Sequence, residues 1–231
     1  MGKNKINRRP AVYQGVTYHD YEVESNTSNV YSQRAGNRIL KSIHSDHGYR
    51  KYCFRSGGKT IHAKYHRLIA ETFSDLIQLS PIVSHHGLKI GRKRHELEFG
   101  TGFRMICNLV CPDHIDDNKA NNHYSNLMTV TQFENLLKCG PMKGKKYKCV
   151  YKRSYGSYEI QIIFTNILDE NGKRFSLYKT FKTEEAAALG YNTMLEEALL
   201  TIFGLDLGPK LYDFAYKNVI ETPVQEQLIL G

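Results

Sequence analysis

Four polar residues between Asp113 and Asn135 have types and spacing that suit hydrolysis of a phosphodiester bond. Asp113 and His114 are adjacent, Asn126 follows His114 by 12 residues, and Asn135 follows it by 21. A carboxylate and an amide oxygen are hard ligands appropriate to Mg²⁺, which also binds substrate phosphate. A neutral imidazole can take a proton from an attacking water, and an asparagine carbonyl can accept the other ring N–H and hold its tautomer. The set therefore indicates metal-assisted hydrolysis.

The same segment also has a simpler interpretation, as a polar loop rich in turn-forming residues. Asp and Asn are ordinary turn formers, so each of the four alone would indicate no function. Their joint spacing favours chemistry for these four. The other polar residues of the segment are interpreted as shaping the turn: Asp116, Asp117, Asn118, Asn121 and Asn122.

Local patterns predict a strand, a turn, a second strand and a helix around these residues. The apolar run Phe103–Val110 predicts the first strand, which the pair Asp113-His114 ends, and "NLMTV" predicts the second strand. The helix "TQFENLLKC" follows, with Thr131 as N-cap and Glu134 at the capping-box spacing. If the hairpin folds back and the helix packs across it, all four side chains can converge.

The remaining segments predict a β-rich N-terminal region and a C-terminal α+β module. Alternating runs in residues 10–65, with a hairpin tip at "SGGK", indicate antiparallel strands, and "HRLIAETF" has helical periodicity. Residues 80–103 have weak periodicity and are interpreted as an insertion, and "CGPMKGKKY" is interpreted as a linker. Three strands and a long helix, from its cap Thr183 to Gly204, complete the chain's last module.

The charge distribution favours an extended polyanion as the partner. The chain has 32 Lys and Arg against 23 Asp and Glu, a formal net charge of +9. The excess lies in residues 1–67, with 13 basic against 4 acidic, and in residues 143–182, with 10 against 3, which suggests two contact surfaces. Five cysteines without a disulfide spacing, and the lack of any apolar run of about 18 residues, favour an intracellular, cytoplasmic protein with no membrane span.

The stretch "DHIDDNKANNHYSNLMTVTQFEN" resembles the HNH motif of phage and intron-encoded homing endonucleases, with its Asp-His, Asn-Asn, Asn-Leu and final Glu-Asn. The resemblance covers about 25 residues. It implies that Asp113 and Asn135 bind one Mg²⁺ or Mn²⁺, that His114 is the general base, and that Asn126 orients His114. Family enzymes often end in His where this chain has Asn135, and the Asn variant occurs among the phage members.

Two flanking segments resemble modules found beside this nuclease. "YEVESNTSNVYS" followed by "HAKYHRLIAETF" resembles the modular segment that precedes it. "KYKCVYKRSYGSYEIQI" with "GKRFSLYKTFKTEEAAALGYN" resembles the apetala-two-type DNA-binding domain of plant ethylene-response factors. The resemblance implies a sheet that contacts the major groove and a helix that supports the sheet from behind. The chain has no tryptophan, so the base contacts of that domain are not transferred individually.

Basic residues are the candidates for DNA contact. In the N-terminal region a solvated face is the alternative, and interleaving with Tyr49, Tyr52 and Tyr65 favours nucleic acid. The linker lysines are expected to follow the phosphate backbone. The predicted DNA-binding residues are Arg50, Arg55, Lys59, Lys64 and Arg67, then Lys145, Lys146 and Lys148 of the linker, then Lys152, Arg153, Tyr158 and Lys179 of the C-terminal strands.

Together these features predict an α+β protein: a small ββα-metal (HNH) nuclease core flanked by an N-terminal β-rich DNA-binding region and a C-terminal three-stranded sheet plus helix domain. The expected function is a site-specific, homing-type endonuclease acting on double-stranded DNA, and the alternative is a DNA-binding transcriptional regulator with a catalytically silent HNH-like fold. No dimerisation seam is evident, which favours a monomer. The predicted boundaries are 1–79 for the N-terminal region, 80–102 for the insertion, 103–140 for the nuclease, 141–147 for the basic linker, 148–206 for the C-terminal domain and 207–231 for a tail.

Overall fold

The chain forms two compact units that interleave along the sequence. The computed structural model describes residues 8–220 except 26, 28 and 45–47, and the side chain of residue 35 is also outside the description. Of the described residues, those up to His95 together with Cys107–Asn135 form unit 1. Unit 2 consists of Glu96–Ile106 and the described residues from Leu136 onward.

Unit 1 begins with two antiparallel sheets, as the alternating pattern of residues 10–65 predicts. The first sheet has four strands in sequence order, with a short 3₁₀ helix (Gln33–Ala35) between the last two. The second has three strands, also in sequence order. The strands are β1 (Arg8–Tyr13), β2 (Val16–Glu24), β3 (Val30–Ser32) and β4 (Arg38–Ile39), then β5 (Ile43–His44), β6 (Arg50–Ser56) and β7 (Lys59–Lys64).

The predicted hairpin tip and helix of this region are both confirmed. Gly57 and Gly58 connect β6 to β7 with φ values of 55° and 75°, a left-handed pair that glycine adopts without steric strain. Helix α1 (Tyr65–Thr72) follows at once, and its residues Leu68 and Ile69 are fully buried in the core of unit 1. The helix therefore covers both sheets with the apolar face that its periodicity predicts.

The predicted strand–turn–strand–helix is also present in unit 1. Strand β11 (Val110–His114) pairs antiparallel with β12 (Leu127–Thr131), and α3 (Gln132–Lys138) follows directly. A short strand β8 (Gln78–Leu79) runs parallel to β12 and completes this third sheet. A 3₁₀ turn, Tyr124–Asn126, leads into β12.

Two boundaries differ from the sequence prediction. The run Phe103–Val110 is not one strand: β10 (Arg104–Cys107) ends before β11 begins, and β10 pairs with a strand of unit 2 through Arg104 opposite Leu168. The predicted insertion 80–102 contains helix α2 (Pro81–His86) and strand β9 (His95–Glu98). The periodicity of an apolar run identifies a strand but not the distant strand with which it pairs, which explains the first error.

Unit 2 is a sheet covered by one long helix. The long strand β14 (Tyr158–Leu168) pairs with three others, which are β13 (Val150–Lys152), β15 (Arg174–Phe181) and β10. Strand β9 neighbours β10. The three predicted C-terminal strands are thus confirmed, within a five-stranded sheet. Within the described part of the chain, no helix is both long and apolar enough to cross a membrane.

Helix α4 (Glu184–Phe214) begins at the predicted cap, where Thr183 Oγ1 accepts a hydrogen bond from the Ala186 backbone N–H at 3.1 Å. Gly204, the predicted last residue, breaks the helix with φ of 69°, and a second helical stretch continues to Phe214. Leu211 in that stretch is fully buried, so this part of the predicted tail belongs to the core of unit 2.

A buried carboxylate fixes the start of α3. Glu134 is 0% exposed, and its oxygens accept hydrogen bonds from Thr131 N at 3.0 Å and Thr131 Oγ1 at 2.9 Å, while Glu134 N donates to Thr131 Oγ1 at 3.1 Å. This confirms the predicted capping box. The same carboxylate also accepts from Ser80 Oγ and Ile82 N, each at 2.6 Å, so it joins the starts of α2 and α3.

We expect Glu134→Ala to lower the free energy of unfolding by about 3 kcal/mol, because the substitution leaves buried N–H donors at Thr131 and Ile82 without an acceptor. Urea denaturation measures the change. Asp20→Ala is the control, since it removes only an exposed ion pair with Arg34 and should leave the stability nearly unchanged. Equal denaturation midpoints for the two variants would contradict the role of Glu134 in joining the starts of α2 and α3.

Candidate active site

An open cavity of about 860 Å³ in unit 1 brings together two of the predicted site residues. Asp113 reaches it from β11 and Asn135 from the first turn of α3. The cavity wall also carries three cations and a histidine, from β7, α1 and the segment after α2. These four lining residues are Lys64, His66, Arg67 and Arg92. A cavity with this balance of charge suits an anionic ligand.

His114 lies at the end of β11, is 3% exposed, and has its ring held by an asparagine. Its Nε2 is 3.0 Å from Asn122 Oδ1. The Asn122 amide is oriented by its other end, since Nδ2 donates to the carbonyl of Ala120 at 3.1 Å. An amide oxygen can only accept, so the proton of the neutral ring is on Nε2 and Nδ1 is the basic nitrogen.

The predicted role of Asn126 as the partner of His114 is wrong in this geometry. The Asn126 side chain instead ties the two ends of the loop together. Its Nδ2 donates to Asp116 Oδ1 and to the carbonyl of Asn121, both at 2.8 Å, and its Oδ1 accepts from Asp116 N at 3.2 Å. Sequence spacing could not separate the two roles, because Asn122 is one of a pair of adjacent turn asparagines and has no offset that marks it as the ring's partner.

The donor set at the cavity fits a hard divalent cation that keeps several waters. Asp113 supplies a carboxylate, and the half-buried Asn135 side chain makes no hydrogen bond within the described residues. The described part of the chain has no cluster of three or more His, Cys, Asp or Glu suited to a metal, so binding would rest on these two residues, water and phosphate. Cys111 also lines the cavity, and burial and the neighbouring Asp113 raise the pKa of its thiol to about 11, so without a metal it is protonated at neutral pH.

His66 is a second histidine of the cavity that the sequence interpretation placed only at the start of a helix. It is the second residue of α1 and is 8% exposed. Its ring centroid lies 5.5 Å from that of His114 and 4.8 Å from that of Tyr49. Its Nδ1 is buried with no hydrogen-bond partner among the described residues, an arrangement that costs about 1–3 kcal/mol and calls for an explanation.

Burial is the main cause of an unusually low pKa at His66. Together with the nearby His114, Lys64 and Arg67, burial lowers the pKa of the His66 imidazole to about 3. His66 is therefore uncharged at neutral pH. No feature of the sequence indicates this, because the pKa depends on packing among β7, α1 and β11.

The basic residues of the β6–β7 hairpin divide between its two faces. Residues directly opposite each other in a sheet share a face. One face carries three such pairs and the other packs Tyr52 and Phe54 into the core. The first face, which we call the basic stripe, consists of Lys51 opposite Lys64, Cys53 opposite His62, and Arg55 opposite Thr60.

The basic stripe includes two of the predicted DNA-binding residues, Arg55 and Lys64, and it leads to the cavity through Lys64. Arg50 and Lys59 are on the opposite face by the same alternation. Arg67 lines the cavity, and its guanidinium is ion-paired with Glu71. Hairpin register, which sequence does not give, decides this division.

Three of the predicted cations in unit 2 have partners within the protein. Lys148 Nζ donates to the carbonyls of Leu136 and Leu137 at 2.9 and 2.8 Å, near the end of α3, and burial lowers the pKa of its ammonium. Lys146 pairs with Glu185, and Arg153 pairs with Glu159. Lys145 is exposed, with Nζ 5.9 Å from the ring centroid of Tyr151.

Three of the four strand residues predicted to contact DNA lie on the side of the unit 2 sheet that α4 covers. Lys152, Tyr158 and Phe181 lie in one row, and the ring of Phe181 packs directly against Gly190 of α4. Lys179 is opposite the fully buried Ile160 on this same helix-covered side. The opposite face contains Tyr151, Glu159, Gln161, Ile163, Arg174, Ser176, Tyr178 and Thr180, and its Glu159 is ion-paired with Arg153 beside the end of β13.

We expect neutral His114 to carry its proton on Nε2, because Asn122 Oδ1 lies on that side. Ring ¹⁵N chemical shifts of the wild-type protein should show one protonated Nε2 and one unprotonated Nδ1. Asn122→Ala removes the acceptor and should give a tautomer mixture. Asn171→Ala, which changes an exposed asparagine in the turn between β14 and β15, should leave the shifts as in wild type. A tautomer unaffected by Asn122→Ala would contradict the assignment.

Comparison with known proteins places the chain among nucleases. No protein-family model matches it. A solved structure described as "DNA binding and cleavage by the HNH homing endonuclease I-HmuI" covers 78% of this chain and 86% of its own, with 22% identity and a TM-score of 0.37. A protein of Acanthamoeba polyphaga mimivirus described as an uncharacterized HNH endonuclease is 31% identical over an alignment of 147 positions, which covers 58% of this chain and 72% of the viral protein. By that similarity, this chain belongs to the HNH endonuclease family.

Proposed function

We propose that this chain is a site-specific endonuclease of the homing type, which hydrolyses a phosphodiester bond in double-stranded DNA with one divalent metal and His114 as general base. The observation that supports it most is the convergence of Asp113 and Asn135 on one cavity, next to a His114 whose tautomer Asn122 holds. The homing type rests on the resemblance of the segment from Asp113 to Asn135 to that group.

His114 is suited to accept the proton of the attacking water at Nδ1. Its Nε2–H is directed to Asn122 Oδ1, 3.0 Å away, so the second nitrogen is the one that carries the lone pair. As Nδ1 takes up the proton the ring becomes positive, and the hydrogen bond from Nε2–H to the amide oxygen strengthens. Asn122 thus positions the base and stabilises its charged form.

Asp113 and Asn135 are the proposed ligands of Mg²⁺ or Mn²⁺. Both are oxygen donors. Asp113 lies on β11, which pairs with β12, and Asn135 lies on α3, whose start Glu134 bonds to the end of β12. When bound, the ion would neutralise charge on the phosphate and on the leaving oxygen. Lys64, Arg67 and Arg92 add positive potential to the same cavity, which favours binding of the DNA backbone.

The basic stripe is the proposed DNA-contact surface of unit 1. Lys51, Arg55 and Lys64 share the face of the hairpin that is not packed into the core. The Lys64 and Lys119 ammonium groups lie 5.7 and 5.0 Å from the ring centroid of Tyr49, which lines the cavity. A backbone lying along the stripe would reach the cavity at Lys64. The predicted contacts through unit 2 remain part of the proposal.

We expect the wild-type protein to cut a supercoiled plasmid library of genomic fragments in Mg²⁺ and to stop when EDTA is added. His114→Ala should lower the cleavage rate by about 10²–10⁴-fold while DNA affinity stays nearly unchanged, because the imidazole serves proton transfer and not binding. His85→Ala, which changes an exposed histidine of α2, is the matched control and should cut normally. Equal loss of cleavage and binding in His114→Ala would overturn its role as base.

The same assay separates the alternatives. A transcriptional regulator with a silent nuclease fold would bind DNA and leave every plasmid intact with or without Mg²⁺. A non-specific nuclease would cut without preferred positions, which sequencing of the cut ends reveals. Competition between fragments containing a mapped site and random DNA then measures the specificity ratio directly.

We expect Lys51→Ala and Arg55→Ala each to weaken DNA binding and to lower the slope of log affinity against log salt by about one, the effect of losing one phosphate contact. The control is Lys210→Ala, an exposed lysine of α4 outside the stripe, which should change neither quantity. Binding titrations at several salt concentrations make the comparison. If the stripe variants and the control bind alike, the stripe is not the contact surface.

A further inference from the structure

His66 is the buried polar group of the cavity for which neither the fold nor the proposed mechanism gives a role. Its ring packs against Tyr49 and His114, and it lines the same cavity as Asp113 and Asn135. A purely structural histidine of this burial would be expected to satisfy its ring nitrogens with protein partners. His66 makes no hydrogen bond with any other residue that the structure describes.

The two ring nitrogens of His66 differ in access. Nδ1 is both sealed from solvent and without a partner. Nε2 is not closed off from solvent, and it makes no hydrogen bond to a residue that the structure describes. It is therefore the ring nitrogen that a molecule in the cavity can reach. A proton on Nε2 leaves only a lone pair at the sealed Nδ1 and presents an N–H donor to the cavity.

The surroundings of His66 favour an uncharged donor. Lys64 and Arg67 flank it in sequence and line the same cavity, and His114 is in ring contact. Burial and these neighbours hold the pKa of the His66 imidazole near 3, so it donates without carrying charge and its state does not change near neutral pH. The adjacent cations would attract a negatively charged acceptor to this place, and a phosphate oxygen is such an acceptor.

We propose that His66 binds the substrate directly, by donating a hydrogen bond from Nε2–H to a non-bridging oxygen of the phosphate that is cleaved. The proposal rests on the proposed function, since it takes the cavity to be the place of phosphodiester hydrolysis. It gives the two neighbouring histidines separate tasks: His114 moves a proton, and His66 orients the phosphate and stabilises the negative charge on its oxygens as the bond breaks.

The test is single-turnover cleavage of a mapped DNA site by the full-length protein. His66→Phe keeps an aromatic ring against Tyr49 and His114 but removes the donor, and should lower the rate by about 10–100-fold with DNA affinity in EDTA within about threefold. His66→Gln keeps an amide donor and should retain most of the rate. His85→Phe is the matched control and should cut like wild type, because His85 is exposed on α2 and does not line the cavity.

Sulfur substitution at the cleaved phosphate distinguishes contact from packing. Sulfur is a poor hydrogen-bond acceptor, so one phosphorothioate diastereomer should slow the wild-type protein, and replacing Mg²⁺ by Mn²⁺ should not restore the rate. That penalty should be absent in His66→Phe and present in His66→Gln. A loss of rate through packing alone would leave the penalty unchanged.

Each outcome is decisive. The proposal is overturned if His66→Phe cuts at the wild-type rate, or if it is slow and keeps the sulfur penalty at the diastereomer that slows the wild-type protein. If His66→Phe does not fold, as judged by its melting temperature, a folded His66→Gln without the penalty overturns it equally. A wild-type protein that cuts no DNA would instead contradict the proposed function itself. That result differs from cleavage at the wild-type rate by His66→Phe, which contradicts only the role of His66.

Discussion

The buried carboxylate of Glu134 is the interaction on which the geometry of the site depends. It accepts hydrogen bonds from the end of β12 at Thr131 and from the start of α2 at Ser80 and Ile82. The next residue along the chain is Asn135, so a carboxylate with no solvent exposure determines where that amide points relative to Asp113. The charge is tolerated in the core because every bond it accepts replaces one that water would have made. A helix start that would otherwise fray becomes a fixed support for one of the two proposed metal ligands.

A second polar network performs the corresponding task for His114. Asn126 and Asp116 close the loop between β11 and β12, with Asn126 Nδ2 2.8 Å from Asp116 Oδ1, and this closure places Asn122 against the ring. Hydrogen bonds from Asn121 and Asn126 lower the pKa of the Asp116 carboxyl, so the network stays ionised and intact well into the acidic range. The abundance of asparagine in this loop follows from that requirement, since an amide can donate at one end and accept at the other. The loop is therefore a scaffold for one imidazole.

Local sequence signals predicted much of this structure, and distant pairings explain the rest. The capping box at Thr131, the glycine hairpin tip, helix α1 and the cap at Thr183 are each encoded within a few residues, and all are confirmed. The spacing of Asp113 and Asn135 predicted a shared site because a hairpin and its following helix form a local unit. Strand register and partner choice are not local. They account for the error at β10, whereas the assignment of Asn126 as the ring's partner failed because neighbouring turn asparagines have no offset that marks their separate roles.

The cavity also shows how packing gives two histidines different properties. His66 and His114 are in ring contact at 5.5 Å, and the cations Lys64 and Arg67 are nearby. Because burial makes a charged His66 costly, a positive charge that forms on His114 during proton transfer would face a neutral ring and not a second cation. Burial of the Cys111 thiol has a similar effect, since it removes a competing anion beside Asp113. The electrostatic field in the cavity is thus set by Asp113 against the surrounding cations, which leaves the carboxylate as the strongest local attraction for a divalent ion and the cations for the DNA backbone.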